Sequence, residues 1–372
     1  MSVAARLQWP WQTARRQAQT AGSIGIDLAL ERMHLVQLCR DHGDALTLKA
    51  QSSVAYPVSR ADTFDTPGAL TPLIRAALRD GNFTGKRAVV ALPGGSFRTF
   101  SLAYQVSPGQ NEARVLSSLL EDRVDGSLSD YVIDYIPVRK RSRDADRLAL
   151  VAVSPRSQVV QYLEEFRRAR LEVEALEISP LAIRRLVSAL PTIGTDDNVI
   201  VVNTGRACTY VTVLAGRRLL SDKVFDFGED ALLAKLSESL DMPTDAAYDL
   251  VMRTGLAPLN KLDQVSVALN ESGIFNTMVE IIKPELMRLV AEIERAVLFT
   301  ASETHGGKVS QIHLVGALSR WHGVNLTLGQ ILGFEVANLA APLHSFDQDN
   351  EGGSPDMAVA AGLALRGLSD DD

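Results

Sequence analysis

Ser23-Ile24-Gly25-Ile26-Asp27-Leu28 leads into a second apolar run, Met33-His34-Leu35-Val36-Gln37-Leu38. The same design returns in the other half of the chain. There Val199-Ile200-Val201-Val202-Asn203-Thr204-Gly205 leads into Thr209-Tyr210-Val211-Thr212-Val213-Leu214. Each pair reads as a β-hairpin whose first strand ends in a short polar turn containing or following glycine. Backbone N–H groups in such a turn can face phosphate oxygens, and a carboxylate at the strand end can hold Mg²⁺ through water. One hairpin alone is only an antiparallel turn. Two, set in corresponding places of two halves, suit a ligand held between related lobes.

The elements around each hairpin repeat as well. Three strands (Ile24–Leu28, Met33–Leu38, Ala45–Ala55) precede a helix over Ala69–Asp80, and three more (Val199–Asn203, Thr209–Leu214, Arg217–Phe225) precede a helix over Gly228–Leu240. This predicts an α/β fold made of a duplicated unit, with the ligand cleft between the copies. The expected division is a basic N-terminal arm (1–22), a first lobe (23–190) with a small α+β subdomain inserted at about 104–178, a second lobe (191–368) and an acidic tail (369–372). Further on, Thr244–Thr254 reads as a helix with Thr244 as its cap, and Pro284–Ser302 as a long amphipathic helix.

Composition excludes several classes. With 46% hydrophobic and 22% charged residues over 372 positions, the chain can bury a large core. A net charge of −7 gives no electrostatic footprint for nucleic acid. Cys39 and Cys208 lie in strand-like runs and read as small buried hydrophobes, and the dispersed histidines lack metal spacing. No run reaches the ~18 apolar residues of a membrane span. The arm carries Arg6, Arg15, Arg16, Trp9 and Trp11 without an acidic residue. It reads as a mobile arm, with contact to an anionic membrane surface as the alternative. The run 139–147 reads as a charged hairpin tip.

Four clusters could carry chemistry. Gly25 and Asp27 form the first, with Asp27 as the candidate metal contact. Asn203, Thr204, Gly205 and Thr209 form the second, with hydroxyls able to donate to phosphate. Gly228 opens a helix whose N-terminus favours anions, although Glu229 and Asp230 follow it. Gly316, Ala317 and Ser319, in Val315-Gly316-Ala317-Leu318-Ser319, end a buried strand with small residues that a flat ring can approach. A strand-to-helix joint explains the same residues without a ligand.

In this order the clusters resemble the two phosphate motifs and the adenosine motif of the actin-like (sugar kinase, Hsp70, actin) superfamily. Within it the chain resembles the type IV pilus assembly PilM family. That narrower match rests on Ala91-Leu92-Pro93-Gly94 with Phe97–Leu102, on Ile133-Asp134-Tyr135-Ile136-Pro137-Val138, on Ile282-Lys283-Pro284-Glu285-Leu286 and on Ala358–Arg366. The cytoplasmic domain of GspL and FtsA share the fold. The resemblance implies ATP and Mg²⁺ as cofactors, a cytoplasmic place at the inner membrane, and the tail of a PilN-like bitopic protein as partner. It places that tail between the inserted subdomain and the first lobe, near Leu116, Leu119 and Leu120. The chain departs from the pattern at Ala29-Leu30-Glu31, Asn203 and Leu318, which predicts weakened nucleotide binding and a scaffold. A working ATPase or kinase of the superfamily is the alternative.

Overall fold

The computed structural model describes residues 20–40, 46–57, 60–138, 147–256, 269–339 and 355–368. The N-terminal arm up to residue 19, most of the charged run 139–147 and the acidic tail lie outside them. Thr20 and Ala21, expected to belong to the arm, form a short strand β1 paired with Arg40 and Cys39.

The first lobe is built on a mixed sheet of β1, β2 (Ile24–Leu28), β3 (Arg32–Arg40), β4 (Leu46–Ala55), β5 (Arg87–Ala91) and β9 (Glu172–Glu177). Strand β2 pairs antiparallel with β3 and parallel with β5, and all five of its residues are buried. A strand covered on both faces needs a continuous apolar run, and Ile24–Leu28 supplies one apart from Asp27. Helices α1 (Arg60–Asp65), α2 (Leu70–Asp80) and α4 (Arg156–Arg168) complete this layer. The Glu165 carboxylate accepts from the backbone N–H of Gly68 and Thr71 at 2.7 and 2.9 Å, so α4 caps the start of α2.

Between β5 and α4 the chain makes a separate three-stranded antiparallel sheet from β6 (Arg98–Tyr104), β7 (Tyr131–Val138) and β8 (Arg147–Pro155), ordered β6-β8-β7. Helix α3 (Glu112–Ser118) packs on it. The subdomain therefore spans about 98–155 instead of 104–178. Strand β9 returns to the main sheet because its register parallel to β5 buries Glu177 and half-buries Val173, Ala175 and Leu176.

The second lobe repeats the theme: β10 (Asn198–Thr204), β11 (Thr209–Ala215), β12 (Arg218–Phe225), β13 (Val309–Gly316) and β14 (Val336–Asn338), in the order β12-β11-β10-β13-β14. Around it lie α6 (Glu229–Leu240), α7 (Thr244–Thr254), α8 (Leu269–Glu303) and α9 (Val324–Leu332). Helix α8 starts well before Pro284, where the expected helix began. Met278, Val279 and Ile282 are buried on the face that Leu286 and Leu289 continue, and this packing carries the helix through the proline.

Helices α5 (Ser179–Ala189) and α10 (Ala358–Arg366) join the lobes. Helix α10, expected in the second lobe, packs on α5 and on β2, β3 and β5. Gly362 permits this approach, since a methyl there would lie 2.1 Å from the Ala182 carbonyl oxygen. Arg185 and Arg366 both pair with the buried Glu177, fastening the two helices to β9. Residues of α5 and α10 share one hydrophobic core with both sheets, so the lobes meet through packed helices rather than a loose linker.

Candidate functional site: the interlobe cleft

The turns after β2 and β10 face each other across a cleft lined by Asp27, Leu30, Glu31, His34, Arg60, Asn203, Thr204, Gly205, Gly316, Ala317, Arg320 and Asp356, among others. The structure thus brings most of the sequence-predicted residues to one place. Gly25, Thr209, Gly228 and Ser319 stand behind it, outside the lining.

Each candidate glycine is used by the protein itself. A methyl on Gly25 would lie 2.1 Å from the Ala360 carbonyl oxygen, so Gly25 admits helix α10. On Gly228 it would meet the Arg206 carbonyl oxygen at 2.1 Å, and on Gly316 (φ +80°) the Thr204 carbonyl oxygen at 2.1 Å. On Gly205 it would meet Leu30 Cδ1, from the opposite lobe, at 2.0 Å.

The hydroxyls are also engaged. Thr204 Oγ1 donates to the Val315 carbonyl at 3.2 Å and accepts from the Leu318 N–H at 2.9 Å. Thr209 Oγ1 donates to the Phe227 carbonyl at 2.8 Å, and Ser319 Oγ to the Gly316 carbonyl at 2.6 Å. Leu318 is fully buried in the second-lobe core.

Asp27 is 5% exposed, and burial raises its carboxyl to about 7, with Arg60 opposing the shift and Asp356 adding to it. Its register partner His34 is pushed down to about 3 by burial, helped by Arg32 and Arg320. Asp222, also on the lining, is raised by burial to about 6 and accepts from Thr212 Oγ1 at 2.7 Å.

Sequence reasoning missed Arg320. It follows the small-residue joint and reaches Glu31 at 3.1 Å, Asp356 at 3.1 Å and Glu229 at 3.6 Å. Burial works against its charge, but Asp356, Glu31 and Glu229 hold it protonated. Glu229 is buried too and accepts from Trp321 Nε1 at 2.7 Å. Its carboxylate partners Glu31, Glu229 and Asp356 come from three distant stretches of the chain, so no local pattern in the sequence pairs them with Arg320.

Room inside the cleft is about 60 Å³. Small-molecule sites run to roughly 300–1,000 Å³. Glycines closed off by protein atoms, hydroxyls bonded internally and an arginine in the lining do not fit ATP with Mg²⁺ in this arrangement.

Comparison with known proteins agrees with the architecture. The family model of type IV pilus assembly protein PilM matches residues 25–368. The chain belongs to the PilM family. A chain of the PilM-PilN type IV pilus biogenesis complex superposes with a TM-score of 0.71 at 20% identity, over 94% of this chain and 99% of that one. The ethanolamine utilization protein EutJ from Carboxydothermus hydrogenoformans gives 0.52 at 14% identity, over 94% and 90% of the two chains. At such identities the likeness shows the fold, which is actin-like. No curated protein matches the chain. Among the described residues no helix is long and apolar enough to cross a membrane.

The residues implied for a PilM-type partner site are not equivalent. Leu116 and Leu120 are 1% and 0% exposed, packed with Leu102, Tyr104, Val124 and Val151 inside the subdomain. They hold that small core together and offer no surface. Leu119 is 39% exposed. Nearer the junction of subdomain and lobe, Val160 and Leu163 on α4 and Val132 on β7 are exposed. Helix α4 packs against β7, and Arg156 donates to the Ser129 and Tyr131 carbonyls at 3.1 Å each. Among the described residues strand β7 pairs only with β8 and is an edge strand of its sheet, in contact with α4 and β12.

Proposed function

We propose that this protein is an actin-like scaffold of type IV pilus assembly. In this reading it works in the cytoplasm, is held at the inner membrane by a partner, and grips the cytoplasmic tail of a PilN-like bitopic protein. The observation that carries the scaffold reading is the closed cleft, which has Arg320 in its lining and about 60 Å³ of space. The actin-like frame then serves to present surfaces, and nucleotide binding is weak or lost. The tail would lie along the junction of α4 and β7, where Val132, Val160 and Leu163 are exposed and β7 is an edge strand of its sheet. Extended peptides add to such edges through main-chain hydrogen bonds, with side-chain pockets supplying specificity.

Calorimetric titration with a synthetic tail peptide of a PilN-like protein tests this directly. Micromolar binding is expected, weakened at least about tenfold by Val160→Glu or Leu163→Glu. Both residues are exposed, so thermal melts of the variants should match the wild type. Full-affinity capture by both variants would move the groove elsewhere. Titration with Mg-ATP should show little heat, and steady turnover would replace the scaffold reading with that of an ATPase.

A further inference from the structure

Three contacts that reach across the cleft come from different parts of the chain. Leu30 of the first lobe seats against Gly205 of the second. Tyr210 of the second lobe lies against Gly94 of the first, where a methyl would be 2.2 Å from the Tyr210 Oη. Arg320 of the second lobe pairs with Glu31 of the first and with Asp356, which sits at the entry to the joining helix α10. The first two contacts are apolar or steric. The third is an ion pair between side chains only 21% and 19% exposed, where screening by salt is weak.

The closed arrangement is not fully satisfied. Glu31 Oε1, His34 Nδ1 and Arg320 Nε are buried without a protein partner, and all three residues line the cleft. Separating the lobes would hydrate these atoms, an effect that opposes the ion pairs. The charge pair and the dry polar atoms thus act on lobe closure in opposite directions.

We propose that Arg320 is an interlobe latch. It holds the cleft shut by pairing across it with Glu31, and anything that enters the cleft must first displace it. Entry therefore carries a penalty equal to the opening equilibrium, which lowers the apparent affinity of any cleft ligand. The latch goes beyond the scaffold reading, because it concerns lobe closure whether or not a tail peptide binds elsewhere.

The chain contains its own reporter. Cys208 lies in the second-lobe turn beside the cleft, half-buried, whereas Cys39 is buried in β3. Maleimide labelling of the full-length protein, resolved by peptide mass, reads the two thiols separately. In Glu31→Gln the Cys208 rate should rise about tenfold, the factor that about 1.4 kcal/mol of lost pairing gives, while Cys39 stays unchanged. Arg320→Gln should give a larger rise. Should that variant fold poorly because three carboxylates lose their cation, Glu31→Gln still decides, since Arg320 there keeps Glu229 and Asp356. A folded Glu31→Gln protein with a wild-type Cys208 rate and unchanged hydrogen exchange over 28–32 and 203–209 overturns the latch. So does an equal rise at both cysteines, which would mean general loosening.

Discussion

The turn after β2 and the turn after β10 occupy corresponding places in the two lobes, yet they have specialised in opposite directions. The first-lobe turn, Ala29-Leu30-Glu31, projects: Leu30 reaches Gly205, and Glu31 reaches Arg320. The second-lobe turn is folded on itself. Its Gly205 N–H donates to the Cys208 carbonyl at 2.9 Å, its Thr204 and Thr209 hydroxyls are tied to neighbouring backbone, and its Gly205 receives the side chain from across the cleft. One lobe supplies the plug and the other the socket. In this structure side chains of the protein itself bridge the cleft between the lobes. The carboxylate at the first strand end, Asp27, survives in this dry setting, whereas the second strand end carries the uncharged Asn203.

The largest expected effect comes from breaking the socket side. Gly316 has φ +80°, and a methyl there would sit 2.1 Å from the Thr204 carbonyl oxygen, which belongs to a strand and cannot retreat. Gly316→Ala should lose about 3 kcal/mol or more by denaturant unfolding. Gly306 has a similar φ of +89° but nothing within 4 Å, so Gly306→Ala should lose only the left-handed penalty of about 1 kcal/mol. Equal losses would mean that backbone conformation, not the close joint of β10 and β13, sets the demand for glycine.

Much of the architecture is legible in the amino-acid sequence. The duplicated hairpins, their order and the small-residue joint at 315–319 follow from hydrophobic runs and turn residues, because buried strands leave little choice of register. The fates of the glycines are not legible. Glycine at a strand end looks the same in sequence whether a phosphate, a helix or a leucine fills the space above its Cα. For Gly25 the answer is Ala360, far along the chain, and for Gly205 it is Leu30. Leu116 and Leu120 fail as surface candidates for a related reason: helical spacing identifies an apolar face, but the subdomain's own sheet claims that face first.

A middle-sized effect should appear at Asp27, and its pH dependence separates a retained ligand residue from a buried relic. The Asp27 carboxyl moves from 3.8 to about 7 on folding, so the folded chain binds that proton more tightly. Below pH ~4 the group is neutral in both states and makes no difference. Between pH ~4 and ~7 the unfolded chain loses the proton first, so this group lowers stability as pH rises. Asp27→Asn should therefore match the wild type near pH 4 and be about 2–4 kcal/mol more stable above pH 7, since each tenfold change in proton affinity is about 1.4 kcal/mol. His34 works the other way. Held near 3 against an ordinary 6.5, it makes the fold less stable as pH falls through that window. In the wild type the two nearly offset each other; in Asp27→Asn the acid loss from His34 should stand alone. Chemical denaturation at pH 4, 6 and 8 reads both trends, and an Asn variant less stable than the wild type at pH 8 would mean that Asp27 is held charged by a partner.

The smallest effect tests whether the second-lobe turn keeps any ligand chemistry. Thr209 is fully buried, and its hydroxyl donates to the Phe227 carbonyl at 2.8 Å, tying the start of β11 to the segment that leads into α6. Thr209→Val keeps the shape and removes the donor, leaving one buried carbonyl with a lone pair less well satisfied. Such a change costs about 1 kcal/mol, or somewhat more because the site is dry. If the hydroxyl is purely structural, the variant should lose that stability and show the same Mg-ATP titration as the wild type. A melt unchanged by the substitution, together with a drop in nucleotide heat, would return Thr209 to the phosphate-facing role that its place in the sequence first suggested. It would also make the turn after β10 a binding element that the plug from the first lobe merely covers.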